Sequence, residues 1–135
     1  MTLSAVNWLA VVAATIAAFV VGGIWYGPLF GKAWQALNGI SDEDIKASNT
    51  LRTFGGAFAL TAVAAFGLAM MMQMHPAPAL NTGLGVGTTV GLAFVASSTG
   101  INYLFALKPL KLYLIDAGYL VLMFAVLGLI IGAWR

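Results

Sequence analysis

Cysteine is absent from the 135 residues, so the chain has no disulfide framework, no thiolate metal site and no sulfur nucleophile. Histidine occurs once, at His75, which excludes a bis-histidine haem or a multi-histidine zinc site within one subunit. Only 7% of residues are charged, against about 25% in a soluble domain. Six Lys or Arg and four Asp or Glu cannot cover a 14.1 kDa protein in water, so most of the outer face is expected to meet lipid. The net charge of +2 comes from basic residues beside apolar runs, which leaves no soluble basic face and predicts no nucleic-acid partner. There is no Ser/His/Asp set, phosphate-binding loop or pair of acids, so neither enzymatic activity nor a cofactor is expected.

What the chain has instead is four long apolar runs, at 3–26, 53–74, 82–107 and 112–134. Each can cross a hydrocarbon core of about 30 Å as a helix, and none alternates in polarity as a barrel strand does. Backbone polar groups in lipid must be satisfied internally. An all-α architecture follows: one integral membrane four-helix bundle of two antiparallel hairpins over residues 1–135, with no room for a second, water-soluble domain. The first run lacks a basic leader and is longer than a signal peptide's apolar stretch, so it is expected to be a true span.

The connections differ in kind. His75-Pro76-Ala77-Pro78 and Lys108-Pro109-Leu110-Lys111 are short and proline-broken, making consecutive spans antiparallel neighbours. The first connection, 27–52, is longer. Leu29, Phe30, Ala33, Trp34 and Leu37 share one helical stripe that stops at Asn38-Gly39, predicting a short helix in the membrane interface. Ser41 offers an N-cap, Asp44 the acid of a capping box, and Ile40 with Ile45 a hydrophobic staple. The second helix is therefore expected to begin near Asp42 and to run into the membrane without a break. Lys32, Lys46, Arg52, Lys108 and Lys111 flank the first and third connections, whereas the opposite side holds only Arg135. Basic residues mark the cytoplasmic side, which predicts that both termini face outward.

Helices in lipid associate through close backbone approach at small residues. Three glycine ladders are candidates for this packing: Gly23, Gly27 and Gly31; Gly83, Gly87 and Gly91; Gly128 and Gly132. They serve the bundle itself or a seam between copies.

Asp116 is the sole acid within a span, five residues beyond Lys111 and so only about 7.5 Å into its helix. At that depth water or Arg52 can reach it. Tyr113 and Tyr119 share its stripe, the third span brings Ser98, Thr99, Asn102 and Tyr103 to the same end, and the first brings Trp25 and Tyr26. The group reads either as an interfacial aromatic belt around one hydrogen-bonded carboxylate or as a ligand, partner or proton site. Mid-span positions carry Ala14, Thr15, Val63, Ala64, Phe94, Val95, Met123 and Phe124, none ionisable, which argues against a monomeric pump. Met70, Met71, Met72, Met74 and His75 read as adaptable packing. A soft-metal site at Met71, Met74 and His75 is the weaker alternative, because successive helical positions diverge. Asn7 and Trp8 read as an interhelical hydrogen bond and an interface anchor.

Gly23-Ile24-Trp25-Tyr26 before Leu29-Phe30 is echoed by Gly100-Ile101-Asn102-Tyr103 before Leu104-Phe105, as in a parallel two-hairpin repeat or by coincidence. At these stretches the chain resembles a family of small bacterial four-span membrane proteins, the domain of unknown function 1761. The carriers are Asn7-Trp8-Leu9-Ala10, the run from Gly22 through Trp25-Tyr26-Gly27-Pro28 to Trp34, Ile101-Asn102-Tyr103-Leu104-Phe105, and Leu114-Ile115-Asp116-Ala117-Gly118-Tyr119. In that family pattern an asparagine is common where this chain has Asp116, and a more charged connection where it has Ala106 to Pro109. The resemblance implies a bacterial inner-membrane protein and supplies no activity. The expected protein is thus a self-associating bundle with a binding cluster for a partner, lipid or small ligand. The alternatives are a subunit of an oligomeric channel or small-solute transporter, or an accessory subunit of a larger membrane complex.

Overall fold

The structure, a computed structural model, describes residues 1–134. Arg135, the lone basic residue of the opposite side, lies outside the described residues. Four helical spans, Trp8–Leu29, Thr50–Met72, Leu80–Phe105 and Leu110–Ala133, are long and apolar enough to cross a membrane, and the chain is a multi-pass all-α bundle. In chain order the helices are α1 (Trp8–Ile24), α2 (Gly31–Asn38), α3 (Asp42–Ala47), α4 (Thr50–Met72), α5 (Leu80–Thr89), α6 (Ser97–Phe105) and α7 (Leu110–Ala133). Two stretches are widened into π-helix: Trp25–Leu29 prolongs α1, and Val90–Ala96 joins α5 to α6.

The first span starts later than its apolar run. Leu3–Ala5 forms a separate 3-10 turn, and the Asn7 side chain accepts from the Ala10 N–H to cap α1. Asn7 also donates to the Trp134 carbonyl, tying the first span to the end of the last. The connection departs from the sequence reading at one point. The Ser41–Asp44 capping box forms, but the helix it opens ends at Ala47 instead of continuing into the membrane. The Ser48 hydroxyl donates to the Ile45 carbonyl, Ser48 turns extended, and Asn49 accepts from the Arg52 N–H to cap a fresh helix, α4. Short polar side chains that bond to nearby backbone groups compete with the helix ladder, and two in succession end it.

α7 is the hub. It packs against α1, α4, α5 and the Val90–Ala96 segment. Its closest neighbour is α5, where Gly83 and Gly87 face Gly128 and Gly132: a Cβ placed on Gly83 would lie 2.6 Å from Gly132 Cα, and one on Gly128 2.9 Å from Gly87 Cα. Backbones in direct contact gain dispersion that lipid tails cannot match. Gly91 continues the line, its Cβ position 3.0 Å from Val121 Cα. Gly23 and Gly27 face open space, and Gly31, though buried, abuts the Tyr26 carbonyl, so among the described residues no second helix packs on that ladder.

The dry core fills the half of the bundle remote from the basic residues, with Val11, Ala14 and Ala18 of α1, Ala65, Leu68 and Met72 of α4, and Met123, Leu127 and Ile131 of α7. Two buried threonines there, Thr15 and Thr61, donate to their own helices at Val11 and Ala57. Toward the basic end α4 leaves this core. Its first residues, 50–60, are all exposed, and Phe54 and Phe58 meet the Phe19 ring of α1 edge-on.

Candidate functional site

The polar groups of three spans converge where α4 has moved away. Asp116 lies six residues into α7, half-buried and about 9 Å from the helix start. The Tyr26 hydroxyl donates to its Oδ1 across 2.6 Å, and the Tyr103 hydroxyl donates to its Oδ2. Tyr26 comes from the π-helical end of the first span. Pro28, lacking an N–H, prevents an ordinary α-turn there, and Phe30 bonds instead to the Trp25 carbonyl, five residues back.

Three more ring donors fasten α7 to its neighbours. Trp25 Nε1 donates to the Ile115 carbonyl at 3.0 Å, the Tyr119 hydroxyl to Ala18 at 3.0 Å, and the Tyr113 hydroxyl to Ala96, the last π-helical residue, at 2.9 Å. Each ring lies on a glycine: Trp25 on Gly118, Tyr119 on Gly22 and Tyr113 on Gly100, where a Cβ would approach ring atoms to 3.2 Å or less. All five side-chain bonds involve α7. Such bonds in a membrane average about 0.6 kcal/mol, so together they contribute about 3 kcal/mol. That is enough to fix the rings and small beside the core packing. Rings also meet edge-on: Tyr26 with Tyr119 at 5.3 Å, Tyr26 with Trp34 of α2 at 6.0 Å, and Tyr103 with Tyr113 at 6.0 Å.

Of the ten residues that sequence depth assigned to this end, six assemble: Trp25, Tyr26, Tyr103, Tyr113, Asp116 and Tyr119. Four stand apart. Arg52 is exposed on the splayed start of α4, and among the described residues no ion pair joins it to Asp116. The Ser98 hydroxyl returns to its own helix at Phe94, Asn102 faces outward, and Thr99 is half-buried without touching the carboxylate's hydrogen bonds. The sequence reading missed Trp34, the three glycines under the rings, and Lys108. The ammonium of Lys108 sits 5.1 Å from the centre of the Tyr103 ring. At the opposite end Met71 and Met74 are exposed, and among the described residues no group of three or more His, Cys, Asp or Glu side chains accompanies them.

Beside the cluster a groove of about 380 Å³ runs between α6 and the start of α7, bordered by Gly100, Ile101, Tyr103, Leu104, Lys108 and Tyr113. Tyr103 is shared: one side of the cluster is the wall of the groove. A second groove, of about 460 Å³, lies on the outer face nearer the other end, between Met71 of α4 and a line of Asn81, Thr82, Gly85 and Thr89 on α5.

Neither a curated protein nor a solved structure matches the chain. A family model does, over residues 9–132, a stretch that holds the four spans but for Trp8 and Ala133 at their outer ends, and the whole of this cluster; its description is protein of unknown function, DUF1761. Matched along nearly its full length, the chain belongs to the DUF1761 family.

Proposed function

We propose that this protein is a non-enzymatic, self-associating bundle of the bacterial inner membrane that binds a lipid or small amphipathic ligand at its cytoplasmic end. One observation carries the reading: a ring-lined groove opens sideways beside a carboxylate on which two other spans converge. Polar groups in a membrane are costly, and a bundle needing only rigidity is better served by glycine packing of the kind α5 and α7 make. The cluster instead holds Tyr103 and Tyr113 as two fixed walls. With five basic residues at that end, the positive-inside rule supports a cytoplasmic setting and outward-facing termini.

The test is retention of lipid by the purified protein. Native mass spectrometry of the wild type should show bound lipid that survives detergent exchange, and Tyr103→Phe should reduce it. Equal retention in Tyr103→Phe would leave the cluster a purely structural role. The same spectra report the number of copies in the assembly.

A second reading, a subunit of an oligomeric channel or small-solute transporter, draws support from the outer groove. Asn81, Thr82 and Thr89 place polar side chains on the bundle's exterior, where a lumen between copies would run. Solute flux in reconstituted vesicles, abolished by Thr89→Phe, would favour it over binding alone.

A further inference from the structure

We propose that the groove between α6 and α7 holds one anionic phospholipid, with its phosphate on Lys108 and an acyl chain along Ile101, Leu104 and Tyr113. This rests on the binding reading above and names its ligand.

The turn that ends α6 is what puts the charge there. The Lys108 N–H donates to the Tyr103 carbonyl at 3.0 Å and the Leu107 N–H to Leu104 at 3.2 Å, with Leu107 in the left-handed region at φ 56. This pair of bonds is the Schellman closure of a helix, and it folds the chain back so that Lys108 stands over a ring of its own helix. That position is usually glycine, and leucine there costs about 1 kcal/mol. The cost is borne at the rim of the groove and at no other described non-glycine residue.

The charge has no competitor among the described residues. Asp116, the only acid in a span, is engaged on both oxygens by phenols, and no acid pairs with Lys108. α7 begins on the same rim without a side-chain cap, which adds the positive end of a long helix dipole. Below the rim the walls turn apolar. Ile101 and Leu104 are 56% and 76% exposed, and Gly100 lets the Tyr113 ring form the floor. Lys108 follows the last span residue, Phe105, by three positions, so the cation stands at headgroup level and the apolar walls at acyl level. A free anion would meet only the rim, and a zwitterionic lipid would bring a second positive charge against Lys108. An anionic phospholipid matches both parts.

The experiment is native mass spectrometry of the intact protein with phosphatidylglycerol and phosphatidylcholine of identical acyl chains. We expect phosphatidylglycerol to be retained about fivefold better, the effect of one positive charge at a membrane surface. Lys108→Gln should erase that preference and Lys32→Gln, a basic residue of the same end away from the groove, should keep it. Ile101→Trp, which fills the groove from an exposed position, should lower retention of both lipids. No preference in the wild type, or an equal loss in Lys32→Gln, overturns the headgroup assignment. So does displacement of the lipid by millimolar inorganic phosphate, which would mark a free-anion site. If both lipids bind alike and Ile101→Trp removes both, the broader binding reading survives without an anionic ligand; if neither lipid is retained, both fall.

Discussion

Tyr26 and Tyr103 hold the same place in two echoed stretches of sequence and donate to the two oxygens of a single carboxylate, Asp116. The first and third spans run the same way through the bundle, so like positions on each arrive at like depth. One reaches the carboxylate from a π-helical end, the other from α6 beyond a π-helical middle. Whatever their origin, the echoed tyrosines act as a pair of clamps on α7.

Removing the clamped group should cost more than trimming a clamp. Asp116→Ala leaves two half-buried phenols without their acceptor and should lower stability by about 1–3 kcal/mol. Asp116→Asn keeps one acceptor and offers an amide N–H to the other phenol's oxygen, so its loss should be the smaller of the two. Tyr103→Phe forfeits one bond, about 0.6 kcal/mol. Thermal unfolding of the three variants in one detergent checks the order; an Asp116→Ala as stable as the wild type contradicts it.

Position on the helix should decide what a side chain does at a glycine. Gly83→Val drives a branched group into the α7 backbone and should destabilise by about 1–3 kcal/mol or more. Gly85→Val, two residues on and facing open space, should change stability by no more than about 0.5 kcal/mol. Melting curves of the two proteins side by side suffice. Matching losses would mean that α5 does not pack as described.

Leu107→Gly should stabilise. The left-handed backbone there suits glycine, and relief of the side-chain clash is worth about 1 kcal/mol. Leu107 is 91% exposed, so little packing is lost in exchange. A raised melting temperature with unchanged lipid retention is the expected result. A fall would show that the leucine is held by contacts outside this chain.

The short helix α3 should fray in acid. Hydrogen bonds from the Ser41 backbone N–H, and the Ser41 side chain beside it, hold the Asp44 carboxyl below the usual aspartate range. A folded-state value below the unfolded one means stability that is present above the unfolded range, about 3.9, and is lost as pH falls through the lowered value. Amide exchange in residues 42–47 should therefore quicken at low pH while the spans remain protected. Asp44→Asn should remove the pH dependence; if exchange in that variant still rises with acid, another group is responsible.

The four long helices were legible because a long apolar run in lipid must satisfy its own backbone, and the structure has four helices long and apolar enough to cross a membrane. The break between α3 and α4 was written at Ser48 and Asn49, yet the strong capping box ahead of it hid the signal. The π-helical stretch Val90–Ala96 has no such mark, being apolar and free of proline. That stretch explains the partial legibility of the cluster. Spacing along a sequence gives depth in a membrane but gives facing only while the turn stays regular. After seven widened residues the phase of α6 no longer follows from α5, so Tyr103 turned inward and Asn102 outward without a sequence sign of which would do so. On α7, which is regular throughout, Tyr113, Asp116 and Tyr119 keep the common stripe that their spacing implies.

The central place of α7 also orders events during synthesis. Ribosomes deliver the chain from the N-terminus, and α1 and α4 can pair as soon as both are inserted. α5 has its extensive contact with α7, so the third span must wait in lipid, its glycines facing tails instead of a partner, until the last helix arrives. The hydrogen-bonding side chains on the first and third spans wait likewise, since every one of the five cluster bonds needs α7. Assembly is thus closed by α7, and a nascent chain stalled before Leu110 would be a half-zipped molecule for quality-control proteases to find.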